Sequence, residues 1–463
     1  MMLAASLRGV CEVELLDLRS ISNPQRWRNE ISGEYLKPLL YGGEKITRHL
    51  IGDYRSRIAA TSGDVYVLTA NFTAEANAVA EIIRTIRIKW PRAIVLVGGR
   101  DASAPERQGF YRAAGADFVG VGDGDTTLPK FISRLHSGAG ISEEYAGRLI
   151  TGGITRFFRP QEHDLNLQGL DLSRYTESGG GPIHPGVLGK GFAAYVETSR
   201  GCPRECEYCT EAKSSRWVHS VEEIIRHLDH YIEAGCRLLM VSDDNLLVRR
   251  EDDLIAIFRH LRDREVAWEF PVGLEVGLLT ERTGVLKQKL FDALFWNHQE
   301  RNQFAGAHRL LFPLEDSLLR ETNLRKLKRM SGKTGGLIIK LLEQGIPFLN
   351  VAIMIGSPHE TAADRERLEQ NLEILSEAAH GYATRLNYSV FCTSPLPGTP
   401  FGAAVTTSGR LSHSIEDAPE LWTVFASVID GDTYSAIETT RYRRELLERF
   451  NMEQADGKVN PPE

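Results

Sequence analysis

Ser199-Arg-Gly-Cys202-Pro-Arg-Glu-Cys206-Glu-Tyr-Cys209-Thr210 puts three of the chain's six cysteines on one short loop with the spacing C-x₃-C-x₂-C. Thiolates hold iron–sulfur clusters, and three ligands on one loop can grip three irons of a [4Fe–4S] cube while the fourth iron stays open. Zinc is the alternative, because closely spaced thiolates also suit a tetrahedral ion. It would need a fourth ligand, for which His219 is the nearest histidine. Zinc pairs usually come as C-x₂-C plus a second pair, and here there is no second pair. A disulfide fits less well, since no signal peptide precedes the loop and the remaining cysteines form no regular framework.

With Tyr208 just before the third cysteine, the loop resembles the signature of radical S-adenosylmethionine (SAM) enzymes. In that superfamily the open iron chelates the amino and carboxylate groups of SAM, and an electron from the reduced cluster cleaves the sulfonium to a 5′-deoxyadenosyl radical. The resemblance implies a low-potential cluster and therefore a flavodoxin or ferredoxin type electron donor.

Around the loop the sequence reads as strand–helix units. Phe192-Ala-Ala-Tyr-Val-Glu197 is strand-like and leads into the cysteines, and Val221 to Ala234 follows with amphipathic helical spacing. Further strands are expected at Arg237 to Ser242, Trp268 to Gly273, His308 to Leu314, Phe348 to Ile355 and Thr384 to Cys392. Six such units match the partial (β/α)₆ barrel of the radical SAM superfamily, with its site at the carboxyl ends of the strands.

Nearer the N-terminus, Asp64 to Thr69, Ala93 to Gly98 and Asp117 to Val121 read as buried parallel strands, separated by helices over Ala74 to Trp90 and Pro105 to Ala114, with Asp125 capping another towards His136. Repeated units of this kind predict an α/β, doubly wound sheet. Taken in order, Glu12 to Asp17, Val97-Gly-Gly99 and Gly115 to Gly124 resemble the cobalamin-binding domain found before many radical SAM barrels. The expected first strand is absent and no D-x-H-x-x-G motif occurs, which weighs against bound cobalamin and for a degenerate domain kept for packing or homodimer formation. The expected organisation is this domain over residues 1–160, a Gly- and Pro-rich linker over 161–191, the barrel over 192–402 and a C-terminal helical extension over 403–463.

Composition is that of a soluble globular protein: 42% hydrophobic, 25% charged, with a formal net charge of −7. That charge offers no broad basic footprint for nucleic acid, and the basic cluster Arg325, Lys326, Lys328 and Arg329 reads as one solvated helix face. No apolar run reaches the roughly 20 residues that span a bilayer, so no membrane association and a cytoplasmic location are expected.

If the barrel resemblance holds, ligand contacts come from strand ends. Cys202, Cys206 and Cys209 would hold the cluster; Tyr208, Ser242, Asp243, Glu315 and Gly356 would contact SAM; Glu275, His359 and Tyr388 are candidates for proton transfer. Carboxylates suit SAM because its ammonium and ribose hydroxyls donate, although an Asp after a strand also commonly caps the next helix. Cys236 and Cys392 sit in apolar runs and read as core.

The resemblance leaves the reaction open. A degenerate front domain and the short extension are similar to the radical SAM diol dehydratases of aminoglycoside antibiotic biosynthesis. That similarity implies an amino-sugar substrate of paromamine type, loss of its 3′-hydroxyl as water, and a downstream NAD(P)H reductase. The alternatives are a cobalamin-dependent radical SAM C-methyltransferase and, more remotely, a non-catalytic zinc-binding interaction protein.

Overall fold

The computed structural model describes residues 6–7, 9–16, 54–125, 127–137, 149–151, 171–176, 183–212, 217–300, 303–314 and 334–452, together with Ala4 and Ser214. Helix α1 (Tyr54–Ala60) opens the front domain, followed by β1 (Val65–Thr69), α2 (Ala76–Lys89), β2 (Ile94–Gly98), α3 (Arg100–Ser103), α4 (Pro105–Ala114), β3 (Phe118–Val121), α5 (Thr127–His136) and β4 (Leu149–Thr151). The strands lie side by side in the order β1-β2-β3-β4, all parallel. Alternate residues face opposite ways along a strand. Val95, Val97 and Val119 accordingly pack with Ile83 and Ile86 of α2 and Tyr111 of α4, whereas Leu96 and Phe118 pack on the other face with Leu128, Phe131 and Ile132 of α5. Helices thus cover both faces, as a doubly wound sheet requires. Glu12 to Leu16 form no strand; Leu7, Val10 and Val13 lie against the α5 face. Asp17 falls outside the described residues.

The second sheet begins after α6 (Pro185–Leu188) with β5 (Phe192–Val196). A short antiparallel pair, β6 (Ser199–Arg200) and β7 (Trp217–Val218), closes the base of the cysteine loop. Then come α7 (Val221–Glu233), β8 (Cys236–Val241), α8 (Glu251–Asp263), β9 (Ala267–Phe270), α9 (Gln288–Leu294), β10 (Asn297–Glu300), β11 (Gln303–Leu314), α10 (Thr334–Glu343), β12 (Phe348–Ile355), α11 (Ala362–Ala379) and β13 (Arg385–Cys392). Reciprocal capping boxes, Ser220 with Glu223 and Thr361 with Asp364, start α7 and α11. Six parallel strands pair in the order β5-β8-β9-β11-β12-β13, with β10 antiparallel to β11. This is the expected succession of six strands. Among the described residues no pairing joins β13 back to β5, so the arc is open.

Outward-facing Val196, Leu239, Trp268, Leu310, Val351 and Tyr388 pack beneath the helices in the main core. Burying each such apolar side chain contributes about 1.5–3 kcal/mol, which fixes the parity of every strand. Inside the arc, Val187 of α6 meets Ala193, Leu238, Met240 and Ala267 and fills the floor.

After the arc come α12 (Pro400–Thr407), which starts before the expected boundary at 403, and α13 (Ala436–Met452). The latter covers the open edge of the arc. Asn451 accepts from the Tyr388 N–H at 2.8 Å and donates to the Tyr388 carbonyl at 3.0 Å, and Arg443 Nε donates to the Val390 carbonyl at 2.7 Å. Side chains thereby satisfy backbone groups that an edge strand would leave open for aggregation.

Candidate functional site

The site is built around the cysteine loop at the carboxyl end of β5. Asp243, following β8, is buried and receives the Thr198 N–H at 2.7 Å, the Thr198 hydroxyl at 2.6 Å and the Ser199 hydroxyl at 2.5 Å. Those bonds oppose the burial that raises its carboxyl pKa. The Cys202 N–H donates to Ser214 Oγ at 2.8 Å, and Ser214 in turn donates to the Glu211 carbonyl, so the far limb of the loop holds the near one. Donors reach two of the sulfurs: Asn245 Nδ2 lies 3.6 Å from Cys202 Sγ and the Glu211 N–H lies 3.4 Å from Cys209 Sγ. None of the six cysteines forms a disulfide, and Cys236 and Cys392 are buried in the core.

A single zinc ion needs its ligands to converge on one point, whereas a cube spreads three thiolates over three irons. His219 is buried, its carbonyl takes up Arg249, and burial pushes its imidazole pKa down to about 2. The three thiolates are the donor set that a [4Fe–4S] cluster takes, and His219, the candidate fourth ligand for zinc, is packed into the base of the loop.

Several expected contacts take other roles. The Asp243 carboxylate is turned into the loop base, where its oxygens are already occupied. Ser242 bridges β8 to β5 through the Val196 carbonyl, at 2.9 Å from its N–H and 3.1 Å from its hydroxyl. Glu275 takes a two-pronged bond from Arg204, at 2.8 and 2.6 Å, and a third from Asn245 at 2.9 Å, which makes it an anchor for the cysteine loop rather than a free base. Tyr388 points out of the arc: burial raises its pKa to about 12 and its hydroxyl lies against the Leu372 carbonyl and Ser376 of α11. The parity of β13 explains this, since Leu386, Tyr388, Val390 and Cys392 are the buried set and Asn387, Ser389 and Phe391 the opposite one. His359 is exposed and faces Asp432 of the extension at 2.7 Å. Gly356, with φ of +80°, stands where a Cβ would lie 2.7 Å from Thr439 Cγ2, so it admits α13 as well as any ligand. Tyr208 is half-buried within the loop. Glu315 and the basic cluster from Arg325 lie outside the described residues.

Sequence reading missed the polar groups inside the arc. Glu269 is fully buried, with His308 Nδ1 at 2.7 Å and Arg309 Nε at 3.3 Å; Arg309 also reaches Asn350 Oδ1 at 3.3 Å, as does Asn387. Their only signal was charged residues inside otherwise apolar strands. It also missed Glu197, at the end of β5, which is paired with Arg200 at 2.8 Å. Burial, opposed by Arg200 and reinforced by Asp243 and Asp244, lifts the Glu197 carboxyl to about 7.

Hopanoid C-3 methylase of Methylococcus capsulatus is 24% identical over 241 residues, which is 51% of this chain and 41% of that protein. The anaerobic magnesium-protoporphyrin IX monomethyl ester cyclase of Synechocystis is 26% identical over 179 residues, 36% of this chain and 33% of that protein. The chain thus spans less than half the length of these curated relatives, and no protein-family model matches it. The structure of TsrM, a radical SAM methyltransferase of Kitasatospora setae, superposes with a TM-score of 0.57 over 95% of this chain and 81% of that one, at 16% identity. The chain has the fold of that structure.

In this fold the carboxyl edges of the two sheets meet at the cysteine loop. Arg200, two residues before Cys202, pairs with Asp125 and, at 3.6 Å, with Asp123, both from the segment after β3. In return Arg100, after β2, reaches Glu211 at 3.0 Å and Asp244 at 3.1 Å. Elsewhere Asn77 donates to Glu420 at 2.5 Å and the Gly398 N–H donates to Glu106 at 2.6 Å. Burial raises the Asp123 and Glu211 carboxyls against these cations.

Proposed function

We propose that the chain is a cobalamin-dependent radical SAM methyltransferase that methylates a small molecule, with electrons supplied by a flavodoxin or ferredoxin type donor. The observation that carries this reading is the three-cysteine loop at the carboxyl end of the first strand of the arc, with the strand ends of a second parallel sheet tied directly to it. TsrM, whose fold this chain shares, is described with cobalamin and a [4Fe–4S] cluster bound. A methylase among the relatives favours methyl transfer over the amino-sugar dehydration expected from the sequence, and the downstream reductase expected with dehydration has no part in this reading.

The residues present fit the implied groups. Cys202, Cys206 and Cys209 would hold the cluster, with Asn245 and the Glu211 N–H as donors to sulfur. Buried acceptors without partners stand at three strand ends: Asn245 Oδ1 after β8, Glu360 Oε1 after β12 and Ser394 Oγ after β13. A buried polar atom without a partner costs about 1–3 kcal/mol, and the ammonium and hydroxyl donors of SAM would offset that cost. In the front domain a Cβ on Gly98 would meet nothing within 4 Å, which leaves an open shelf at the sheet edge for a corrinoid. The segments after β1, β2 and β3 contain no histidine. When bound, the cluster would supply the electron that cleaves SAM and the corrinoid would carry the methyl group. The chain's own part is to fix the loop through Asp243, Ser214 and Glu275 and to shield the space between the sheets from water.

The test is anaerobic reconstitution with iron and sulfide, then reductant, SAM and cell-derived small molecules, with and without hydroxocobalamin. Formation of S-adenosylhomocysteine and 5′-deoxyadenosine together with a methylated product, dependent on hydroxocobalamin, supports the proposal. Loss of water from paromamine without hydroxocobalamin overturns it in favour of dehydration.

A further inference from the structure

We propose that Arg100 of the front domain is a positioning residue for the cysteine loop, so that the geometry and electrochemistry of the cluster are set partly from the other domain. The proposal rests on the cluster reading above for its redox consequence, but the positioning itself concerns the loop alone.

Arg100 is delivered to the junction by a turn only glycine can make. Gly99 has φ of +110°, and a Cβ there would lie 2.5 Å from the Ala70 carbonyl oxygen. The guanidinium then spans both limbs of the loop. Its Nε meets Glu211 Oε1 at 3.0 Å, and its Nη2 meets Asp244 Oδ1 at 3.1 Å. Each carboxylate belongs to a residue that also holds the loop: Asp244 Oδ2 accepts the Gly201 N–H at 2.8 Å, next to Cys202, and the Glu211 N–H donates to Cys209 Sγ. One planar fork thus fixes the distance between the start and the end of the ligand-bearing segment. Lysine, with a single point charge, cannot hold both carboxylates in that fixed geometry.

The arrangement is reciprocal. Arg200 on the loop side pairs with Asp123 and Asp125 of the front domain, so cations cross the junction in both directions. Arg100 differs in being about half exposed, at 55%, which keeps its ion pairs modest in energy and makes the effect one of geometry and local charge. A cation paired with Glu211, whose N–H reaches Cys209 Sγ, also favours the reduced cluster, which carries one more negative charge than the oxidised one.

The experiment compares the full chain with Arg100→Ala and Arg100→Lys, before and after anaerobic reconstitution. In the apo proteins, hydrogen exchange over residues 199–212 is expected to speed up by about threefold in R100A, the size of two partly exposed ion pairs, with R100K in between. In the reconstituted proteins R100A is expected to lower the midpoint potential and alter the electron paramagnetic resonance signal of the reduced cluster, whereas R100K keeps the potential closer to the parent but alters the signal. Unchanged exchange in R100A overturns the proposal whether or not a cluster loads. Changed exchange with an unchanged potential and signal overturns its electrochemical half. Failure of the parent chain to assemble a [4Fe–4S] cluster would instead count against the proposed function, and the exchange comparison would still decide the positioning role.

Discussion

Asp243 and Thr198 join the second strand of the arc to the base of the cysteine loop: one carboxylate receives both the backbone N–H of Thr198, at 2.7 Å, and its hydroxyl, at 2.6 Å. Sequence placement at a strand end made Asp243 look like a ligand contact. Its partners show that it acts one step back, by holding the segment from which the cysteines project. Hydrogen bonds to a buried charge contribute about 1.5–3 kcal/mol, so Asp243→Asn is expected to cost about 2 kcal/mol in denaturant unfolding. Iron and sulfide content after reconstitution should fall with it. Full cluster loading in the variant would show that the loop holds its shape without this anchor.

Gly356 combines a left-handed backbone with contact to α13. Gly356→Ala is expected to destabilise by about 2–4 kcal/mol, from the φ penalty and the collision with Thr439 Cγ2 together. Adding Thr439→Ser removes the methyl but not the backbone strain, so the double variant should recover roughly half of the loss. Complete recovery would assign the whole cost to the collision, and no recovery would assign it to φ. Thermal unfolding of the parent, the single variant and the double variant distinguishes these.

Asn451 replaces a missing neighbour strand for Tyr388. Asn451→Ala removes two hydrogen bonds and is expected to cost about 1–2 kcal/mol. Because it also bares the edge of β13, light scattering after mild heating should rise more than the stability loss alone accounts for.

What was legible in the sequence follows from periodicity and what was not follows from side-chain parity and partners. β12 is found where it was read, at Phe348–Ile355, because a short apolar run with Val351, Ile353 and Ile355, bounded by turn residues, reads as a strand. The cysteine loop was legible because its spacing is itself the chemistry. Tyr388 was misplaced because its position at the right height on β13 says nothing about which face it occupies; the buried set Leu386, Tyr388, Val390 and Cys392 decides that. Glu275 looked like a free acid because Arg204, 71 positions earlier, is invisible as its partner until the chain folds. Asn245, two residues beyond Asp243, is one of the strand-end side chains that keep an unpartnered acceptor.

Glu197 gives the site a titration near neutrality. It stands at the end of β5 with Arg200 as its cation, and burial raises its carboxyl from the usual value of 4.5 to about 7. The unfolded chain therefore releases this proton first as pH rises, while the folded chain retains it up to about 7. Stability contributed at low pH is lost between about pH 4.5 and 7 and levels off above, a change on the order of 3 kcal/mol. Glu197→Gln cannot titrate, so the difference in unfolding free energy between the parent and the variant should move in the variant's favour over that interval and be flat beyond it. Parallel curves across the interval would show that Arg200, with Asp125 and Asp123 behind it, keeps Glu197 ionised throughout.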